Sequence, residues 1–371
     1  MHIEASLSRL ATPPEFERDV HCLLGLPIDA IGLAEAERRI RAAADARMPC
    51  FMSTPNVNFV IASRSDDAFR NAVLHSDLSV ADGMPLVWLA RLMGIPLRER
   101  VAGASVFEAL RGSAGRPLAV FFFGGPEGVA EAAGRRLAAE GKGLVCVGYD
   151  SPGFGSVEEM SSEETIRRIN ASNADLLVVS LGAAKGQAWI ERNRARLNVP
   201  VVSHLGAVVD FAAGTVRRAP VWMQRAGLEW LWRIKERPAL WRRYLNDGVA
   251  LALLLLTRVL PYVWYARRHA AGAAAEGQLE AREEYTLALR GAWTRANIGQ
   301  LRRGFADAAH SGKDVRLDMT AVSHVDSAFV GLVMVLRSHL QQRGRRLSIW
   351  PVPPAVRRVM EYCCAEFLCP A

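Results

Sequence analysis

The sequence predicts an α/β protein in which a parallel sheet occupies the first two-thirds of the chain and a smaller α/β unit follows. Three features of the 371 residues carry this prediction. Short apolar segments alternate with segments of helical periodicity, each apolar segment ends at a turn or polar cluster, and a segment of small residues separates the two parts. Unbroken apolar strands separated by helices are typical of a parallel sheet that is covered on both faces.

The predicted strands of the first sheet are short and rich in β-branched or other apolar residues. They are residues 50–53, 78–81, 118–123, 144–148, 175–181 and 199–204. Ligands bind at the carboxyl ends of parallel strands, so the residues that follow each strand are the candidate site residues. These positions are 54–56, 82–83, 124–125, 149–150, 182–187 and 206–210.

Composition divides the chain into five predicted segments. They are an N-terminal extension (1–19), an α/β domain (20–215), a helical appendage rich in Arg and Trp with an apolar segment (216–269), a linker (270–279) and a small α/β domain (280–371). Within the last segment we expect a strand at 315–320, a loop at 323–329 and an amphipathic helix at 330–344, before a further strand and a final helix.

Positive charge is concentrated in the appendage. Residues 217–268 hold ten Arg and one Lys against three acidic residues, a net charge of +8 that equals the net charge of the whole chain. The same stretch holds five of the nine Trp. Arg interleaved with aromatic residues suits either a bilayer interface or a nucleic-acid groove.

The apolar segment 249–266 favours the bilayer. It is barely long enough to span a membrane, and it contains Arg258 and the helix breaker Pro261. An interfacial or re-entrant helix therefore fits better than a clean transmembrane helix, with a buried core helix as the alternative. We expect no nucleic acid as a partner, because so apolar a segment would promote aggregation of a protein that follows a groove.

Several classes of protein are disfavoured by what the sequence lacks. The six Cys form no C-x-x-C pair, and neither a His pair at metal-ligand spacing nor a D-x-D motif occurs. We therefore expect no metal and no cofactor, with Arg side chains in the place of a cation. The first 20 residues contain no apolar segment of a signal peptide, which predicts a cytosolic or cytosol-facing protein.

Three strand ends carry residues that could take part in binding or catalysis. Thr54 and Asn56 offer a hydroxyl and an amide, although Thr54-Pro55-Asn56 also suits an ordinary helix start. Asp82 is either a helix cap or a general base. Gly124-Gly125-x-x-Gly128 could admit a phosphate to backbone N–H groups, but it is not a complete dinucleotide motif.

At these residues the chain resembles the WecG/TagA/CpsF glycosyltransferases. The matching blocks keep their order over residues 20 to about 245: Thr54-x-Asn56, Ala81-Asp82-Gly83, 99–103, Gly148-Tyr149, 181–185, 206–210, 218–220, and 227–231 with Arg233 and Pro238. The resemblance implies a Rossmann-like glycosyltransferase domain. It also implies an inverting, metal-independent enzyme that moves an N-acetylmannosamine-type sugar from UDP to a polyprenyl-diphosphate-linked saccharide. Such enzymes work peripherally at the cytoplasmic membrane face, in teichoic acid, common antigen or exopolysaccharide assembly.

The resemblance also assigns roles to residues. The family's catalytic carboxylate matches Asp82, its active-site Thr matches Thr54, and its basic appendage matches residues 222–243. We expect Asp82 to take the proton of the acceptor hydroxyl and Thr54 and Asn56 to orient the reactants. The other expected substrate-binding residues are Arg100, Tyr149, Gly182, Gln187 and Asp210, with Arg233, Arg237, Arg242 and Arg243 neutralising the departing diphosphate.

The chain departs from the family pattern in two places. Ala184 stands where the family has proline, and Gly186-Gln187 stands where it has glutamine–glutamate. Ser203-His204-Leu205-Gly206 replaces a glycine-rich stretch. Both departures lie in the expected donor pocket, so transfer of a hexose such as glucose is an alternative.

The C-terminal segment resembles a STAS domain through Leu317-Asp318-Met319-Thr320 and residues 325–331. In members that act as phosphoswitches the accepting serine follows an Asp-Ser pair, and here that position is Ala328. The neighbouring Ser327 does not match the phosphorylated position. We therefore interpret this segment as a surface for docking a protein partner or for self-association.

Two other functions stay open at this point. A decayed transferase domain could serve as a non-catalytic scaffold for the STAS-like domain, as the altered loop 184–187 suggests. A nucleotide-binding oxidoreductase has only Gly124-Gly125 in its favour. Binding of a UDP-sugar or of a nicotinamide nucleotide distinguishes these two hypotheses from a glycosyltransferase.

Overall fold

A computed structural model describes residues 14–153, 155–269, 278–282 and 285–369. Two compact units emerge from its contacts. The larger unit is Leu23–Val263, and the smaller unit combines Met1–Cys22 with Trp264–Ala371. The predicted linker falls mostly at 270–277, outside the described residues.

The larger unit is built on a six-stranded parallel sheet, which confirms the predicted fold class. Two short strands, β1 (Val20–Leu23) and β2 (Leu26–Asp29), precede this sheet. The sheet strands are β3 (Cys50–Ser53), β4 (Leu78–Ser79), β5 (Leu118–Gly124), β6 (Leu144–Asp150), β7 (Leu176–Ser180) and β8 (Val201–His204). Their order across the sheet is β4-β3-β8-β7-β5-β6. All carboxyl ends therefore lie at one edge of the sheet.

Helices follow the strands and cover both faces of this sheet. They are α1 (Leu33–Asp45), α2 (Val57–Ala62), α3 (Asp67–Leu74), α4 (Met84–Leu92), α5 (Gly103–Gly112), α6 (Val129–Glu140), α7 (Glu163–Ala171), α8 (Ala183–Asn193) and α9 (Val208–Ala213). Residues of β5 alternate between two apolar clusters. Val120 and Phe122 pack in one cluster with residues of α1, α5 and α6, while Phe123 stacks on Trp189 of α8 in the other.

The appendage consists of four helices: α10 (Val221–Arg225), α11 (Glu229–Glu236), α12 (Trp241–Leu254) and α13 (Leu260–His269). A π-helical turn, Leu255–Val259, connects the last two. Pro261 does not end the helix as the sequence suggests. Proline lacks an N–H donor and crowds the carbonyl one turn earlier, and the wider π-helical turn lies where that crowding would occur.

Within the described residues from 278 onward, the smaller unit contains a four-stranded mixed sheet and three α-helices. Its strands are β9 (Gln278–Arg282), β10 (Thr286–Trp293), β11 (Val315–Val325) and β12 (Leu347–Ile349), in the order β12-β11-β10-β9. Only the β9–β10 pairing is antiparallel. The helices are α14 (Ile298–His310), α15 (Ser327–Gln341) and α16 (Pro354–Tyr362).

The loop predicted at 323–329 is wrong. Strand β11 continues to Val325, and α15 begins at Ser327. Asp326 lies between them and its carboxylate accepts hydrogen bonds from the backbone N–H groups of Ala328 and Phe329. This cap, together with the buried apolar residues that follow it, starts the helix three residues before the predicted position.

The residues before the larger unit belong to the smaller unit, whereas the sequence suggested a separate extension at 1–19. Phe16 is fully buried, and its ring centroid lies 5.5 Å from that of His339 on α15. Backbone of this segment also passes close to Gly331. A Cβ atom there would lie 2.8 Å from the Val20 carbonyl oxygen, so only glycine permits this approach. Nothing is assigned to residues 1–13, which lie outside the described part of the chain.

We expect Phe16→Ala to destabilise the smaller unit. Removing a fully buried phenylalanine ring leaves a cavity and costs about 3–5 kcal/mol. Thermal unfolding of the full-length protein, followed together with hydrogen exchange in α15, measures the loss. The exposed residue Glu17 provides the control substitution Glu17→Ala. Unchanged protection of α15 in the Phe16→Ala variant would contradict the packing.

Candidate active site

A large cavity of about 2180 Å³ opens at the carboxyl edge of the six-stranded sheet. Residues that follow β3, β4, β7 and β8 line one side of it, and residues of α11 and α12 line the other. The strand ends contribute polar residues to this cavity, whereas most of the residues that α12 contributes from Leu245 onward are apolar. A ligand with a charged head and an apolar tail matches this division.

Thr54 and Asn56 lie directly after β3, in the position expected for them. Thr54 is buried, and Asn56 caps α2 by accepting a hydrogen bond of 3.2 Å from the backbone N–H of Phe59. The capping bond uses the side-chain oxygen of Asn56, so its NH₂ group is the part that suits a ligand. Both residues line the cavity.

Asp82 lies beside them because β4 is the neighbour of β3. The N–H of Asp82 donates a 2.7 Å hydrogen bond to the carbonyl of Pro55, which fixes the two strand ends together. Burial raises the pKa of the Asp82 carboxyl, the charge of Arg100 opposes this effect, and the charge of Glu229 adds to it. A carboxylate with a raised pKa is a stronger base than an ordinary aspartate, which suits a role in accepting a proton.

Arginine side chains gather near this carboxylate around a single glutamate. Glu229 on α11 lies 2.5 Å from Arg100 and 4.0 Å from Arg233. Arg218 is also directed to this cluster, and burial lowers the pKa of its guanidinium. It donates a 2.8 Å hydrogen bond to Ser105. The cluster places several guanidinium groups near Asp82, as stabilisation of a diphosphate requires.

A further ion pair lies after β8. Asp210 is buried and lies 3.4 Å from Arg237, and both residues line the cavity. Tyr149 at the end of β6 and Gly182 before α8 line it as well. Among the described residues, no group of three or more His, Cys, Asp and Glu is arranged to hold a metal ion.

The appendage carries an exposed apolar stripe, here defined as Leu245, Val249, Leu253, Leu256 and Leu260, of which Leu245 and Val249 also line the cavity. These residues are spaced by three or four and are 43–64% exposed, whereas Leu254 and Val259 of the same helical stretch are buried. The helical region Pro238–His269 is also long and apolar enough to cross a membrane. An exposed stripe of this length is unusual for a surface in water and marks an interaction site.

The matching of sequences decides the family. Residues 21–263 match the model described as the glycosyl transferase WecG/TagA/CpsF family. The chain belongs to this family. It is therefore a glycosyltransferase with a Rossmann-like fold, as predicted. Residues 277–365 match the model described as Mlab, STAS domain, which confirms the second predicted resemblance.

Two curated relatives are similar to the chain over 203 residues, which is 54% of this chain and 77% of each relative. Both are named N-acetylglucosaminyldiphosphoundecaprenol N-acetyl-beta-D-mannosaminyltransferase. The protein of Bacillus spizizenii (strain W23) is 29% identical to this chain, and the protein of Bacillus subtilis (strain 168) is 28% identical.

Ten of the twelve predicted site residues of this WecG/TagA/CpsF-family chain line the cavity. The exceptions are Gln187 and Arg242. Gln187 lies one turn after Ala183, a residue of α8 that lines the cavity. Its side chain is fully buried and donates a 3.2 Å hydrogen bond to Ser53. Arg242 lies on the exposed side of α12, with its guanidinium 5.5 Å from the centre of the Trp241 ring. Neither position supports contact with a substrate.

Sequence reasoning did not select Glu229, Arg218 or His204. The first two fall in blocks that matched the family, but a lone glutamate in an Arg-rich stretch has the pattern of a surface residue. His204 belongs to one of the two departures from the family pattern and packs against Gly186, which belongs to the other. A Cβ atom at Gly186 would lie 2.2 Å from the His204 ring. The two departures are therefore in contact, and a side chain at position 186 would displace His204 from the cavity wall.

We expect Glu229→Gln to make Asp82 a weaker base. The substitution removes a negative charge that raises the pKa of Asp82 and leaves the opposing charges of Arg100 and Arg233. A carboxylate that accepts the proton of the acceptor must be ionised, so with Asp82 in that role we expect the acidic limb of the kcat–pH profile to move to lower pH. The exposed Glu236 of the same helix provides the control Glu236→Gln. An acidic limb that stays in place would show that Glu229 does not act on Asp82.

Proposed function

We propose that this glycosyltransferase moves a sugar, with N-acetylmannosamine favoured, from UDP to a polyprenyl-diphosphate-linked saccharide. The observation that carries the proposal is the shared cavity: a carboxylate of raised pKa lies where β4 ends, guanidinium groups lie close to it, and apolar residues of α12 line the same cavity. The relatives' names match this acceptor class. Cell-surface or exopolysaccharide assembly is the process that consumes such a product.

In the proposed reaction Asp82 accepts the proton of the acceptor hydroxyl as the hydroxyl oxygen bonds to the anomeric carbon. The bond between that carbon and the UDP oxygen breaks on the opposite side of the sugar, so the configuration inverts. Negative charge develops on the departing diphosphate. Arg100, Arg233 and Arg237 neutralise it, and Arg243 contributes from α12, so the reaction requires no divalent cation.

Thr54 and Asn56 orient the reacting groups beside Asp82, as their adjacent strand ends allow. Gly182, Tyr149 and Asp210 contribute to binding the nucleotide sugar. The contact between His204 and Gly186 gives this part of the cavity a shape that the family pattern does not share. Transfer of glucose is for this reason the alternative donor activity.

We propose that the enzyme lies on the cytoplasmic face of the cell membrane through the apolar stripe. The stripe is exposed, and Arg242 and Arg258 flank or interrupt it. Leucine side chains enter the acyl region while arginines meet anionic headgroups, as in interfacial helices. This placement brings the apolar end of the cavity to the surface where a polyprenyl lipid resides.

For the smaller unit we propose a docking or self-association role. Its α15 is covered by the segment that contains Phe16, and Ser327 is buried with its hydroxyl 3.1 Å from Nδ1 of His21. A partner would therefore bind elsewhere on the unit. Sedimentation of the full-length protein and of a variant with charged surface substitutions on α14 distinguishes self-association from its absence.

The proposed function is tested by measuring UDP release from UDP-N-acetylmannosamine and from UDP-glucose with a short-chain prenyl-diphosphate N-acetylglucosamine acceptor. We expect release that depends on the acceptor and persists in EDTA. A reaction that stops in EDTA and resumes with manganese would overturn the metal-independent mechanism. Failure to bind either UDP-sugar by calorimetry would favour the scaffold hypothesis.

A further inference from the structure

The cavity contains a buried carboxylate that the proposed reaction does not use. Asp247 on α12 is 8% exposed and lines the cavity. The side-chain amide of Asn58 on α2 lies 3.3 and 3.5 Å from its two oxygens. Burial raises the pKa of Asp247, although the bond from Asn58 and the charge of Arg243 oppose this effect. Removing a carboxylate from water costs free energy, so a buried carboxylate is expected to have a hydrogen-bonding or charged partner that offsets this cost.

Aromatic residues line the same wall of the cavity as this carboxylate. Tyr244 lies one turn before Asp247 on α12, and its ring centroid is 6.2 Å from that of Trp230 on α11. Trp241 lines the cavity a further turn away. A carboxylate and an amide that accept and donate hydrogen bonds next to flat aromatic faces form a typical sugar subsite. Hydroxyl groups bond to the polar side chains and the C–H face of the ring packs on the aromatic surface.

The position of this group fits the acceptor rather than the donor. Asn58 lies two residues after Asn56, and both line the cavity that also contains Asp82. Helix α12 places Asp247 on the cavity wall together with Leu245 and Val249 of the apolar stripe, whereas Leu253, further along the stripe, does not line the cavity. A saccharide attached to a membrane lipid would reach Asp82 past Asp247.

We propose that Asp247, Asn58 and Tyr244 form the subsite for the acceptor saccharide, with Asp247 accepting hydrogen bonds from its hydroxyl groups. This inference rests on the proposed function. It adds specificity-determining residues that lie apart from the reacting centre. It also explains why α12 carries a buried carboxylate on the cavity wall.

The test compares binding of two lipids to full-length protein: a short-chain prenyl diphosphate that carries N-acetylglucosamine and the same lipid without the sugar. We expect wild type to bind the glycosylated lipid more tightly. Asp247→Asn should weaken that binding about 10- to 100-fold, which is the loss of one or two hydrogen bonds to a charged group. The affinity for the sugar-free lipid and for UDP should not change. The exposed neighbour Asn246 provides the control Asn246→Ala.

Tyr244 supplies a second arm. Tyr244→Phe keeps the ring and should retain the preference for the glycosylated lipid, whereas Tyr244→Leu should lose it. If wild type binds both lipids equally, or if Asp247→Asn weakens UDP and both lipids alike, the subsite is refuted. Absence of UDP release by wild type would instead refute the proposed function, and the binding comparison would still stand.

Discussion

Asp82→Asn should lower the rate of sugar transfer by about 10²- to 10⁴-fold, the usual contribution of a positioned general base. Asparagine keeps the shape of the side chain but cannot accept the proton of the acceptor hydroxyl. The affinity for UDP should change little, because the guanidinium groups that surround Glu229 remain. Turnover with saturating donor and acceptor measures the first effect, and calorimetry with UDP measures the second.

The matched control is Asp66→Asn. Asp66 caps α3 by accepting a 2.9 Å hydrogen bond from the N–H of Phe69, and it does not line the cavity. Its substitution should leave turnover within a few-fold of wild type. Transfer by Asp82→Asn at more than a tenth of the wild-type rate would mean that another group accepts the proton.

The same carboxylate predicts the direction of the pH dependence. Burial raises the pKa of Asp82, so protonation begins at a higher pH than for an ordinary aspartate. Turnover should decline as the pH falls through this raised pKa, because the protonated acid cannot serve as a base.

The second large effect concerns the membrane. Replacing Leu253 and Leu256 by glutamate should abolish most of the binding to vesicles. Each leucine contributes about 1.5–3 kcal/mol when it leaves water, so losing two weakens binding about 10²- to 10⁴-fold before repulsion from anionic lipid is added. Co-sedimentation with vesicles that contain an anionic phospholipid measures the change. Turnover with a water-soluble short-chain acceptor should persist, because neither residue lines the cavity.

Two exposed apolar residues elsewhere in the larger unit provide the control. Met48 precedes β3 and Val145 lies on β6, and both are more than 40% exposed. The double variant Met48→Glu/Val145→Glu adds the same two charges outside the apolar stripe and should bind vesicles as wild type does. Equal loss of binding in both double variants would show that charge alone governs attachment.

The alternation of apolar strands and helices was sufficient to predict the fold class, because parallel strands buried on both faces leave a clear signal. The strand ends were equally informative for Thr54 and Asp82, since neighbouring strands bring their carboxyl ends together. Residues inside helices were harder. Gln187 and Arg242 lie on sides of α8 and α12 that face away from the cavity, and one sequence does not reveal which side a short helix presents.

Long-range partners explain the remaining differences. Glu229 owes its role to Arg100, which is 129 residues away in the chain. The residues around Phe16 show no periodic pattern that would predict a core position, and its partner His339 is more than 300 residues away in the chain. Helix α15 begins earlier than predicted because Asp326 caps it. The surrounding sequence Ser-His-Val-Asp-Ser is typical of a loop, so this cap was not predicted.

The pairing of Phe16 with α15 also sets an order of events during synthesis. The segment around Phe16 leaves the ribosome before Leu23–Val263, whereas α15, on which Phe16 packs, is made after that stretch. All of Leu23–Val263 is translated in between, and a unit of that size can fold while translation continues. Phe16 therefore lacks its packing partner until α15 has been translated, and a ribosome that stalls after Val263 leaves this aromatic side chain unpacked.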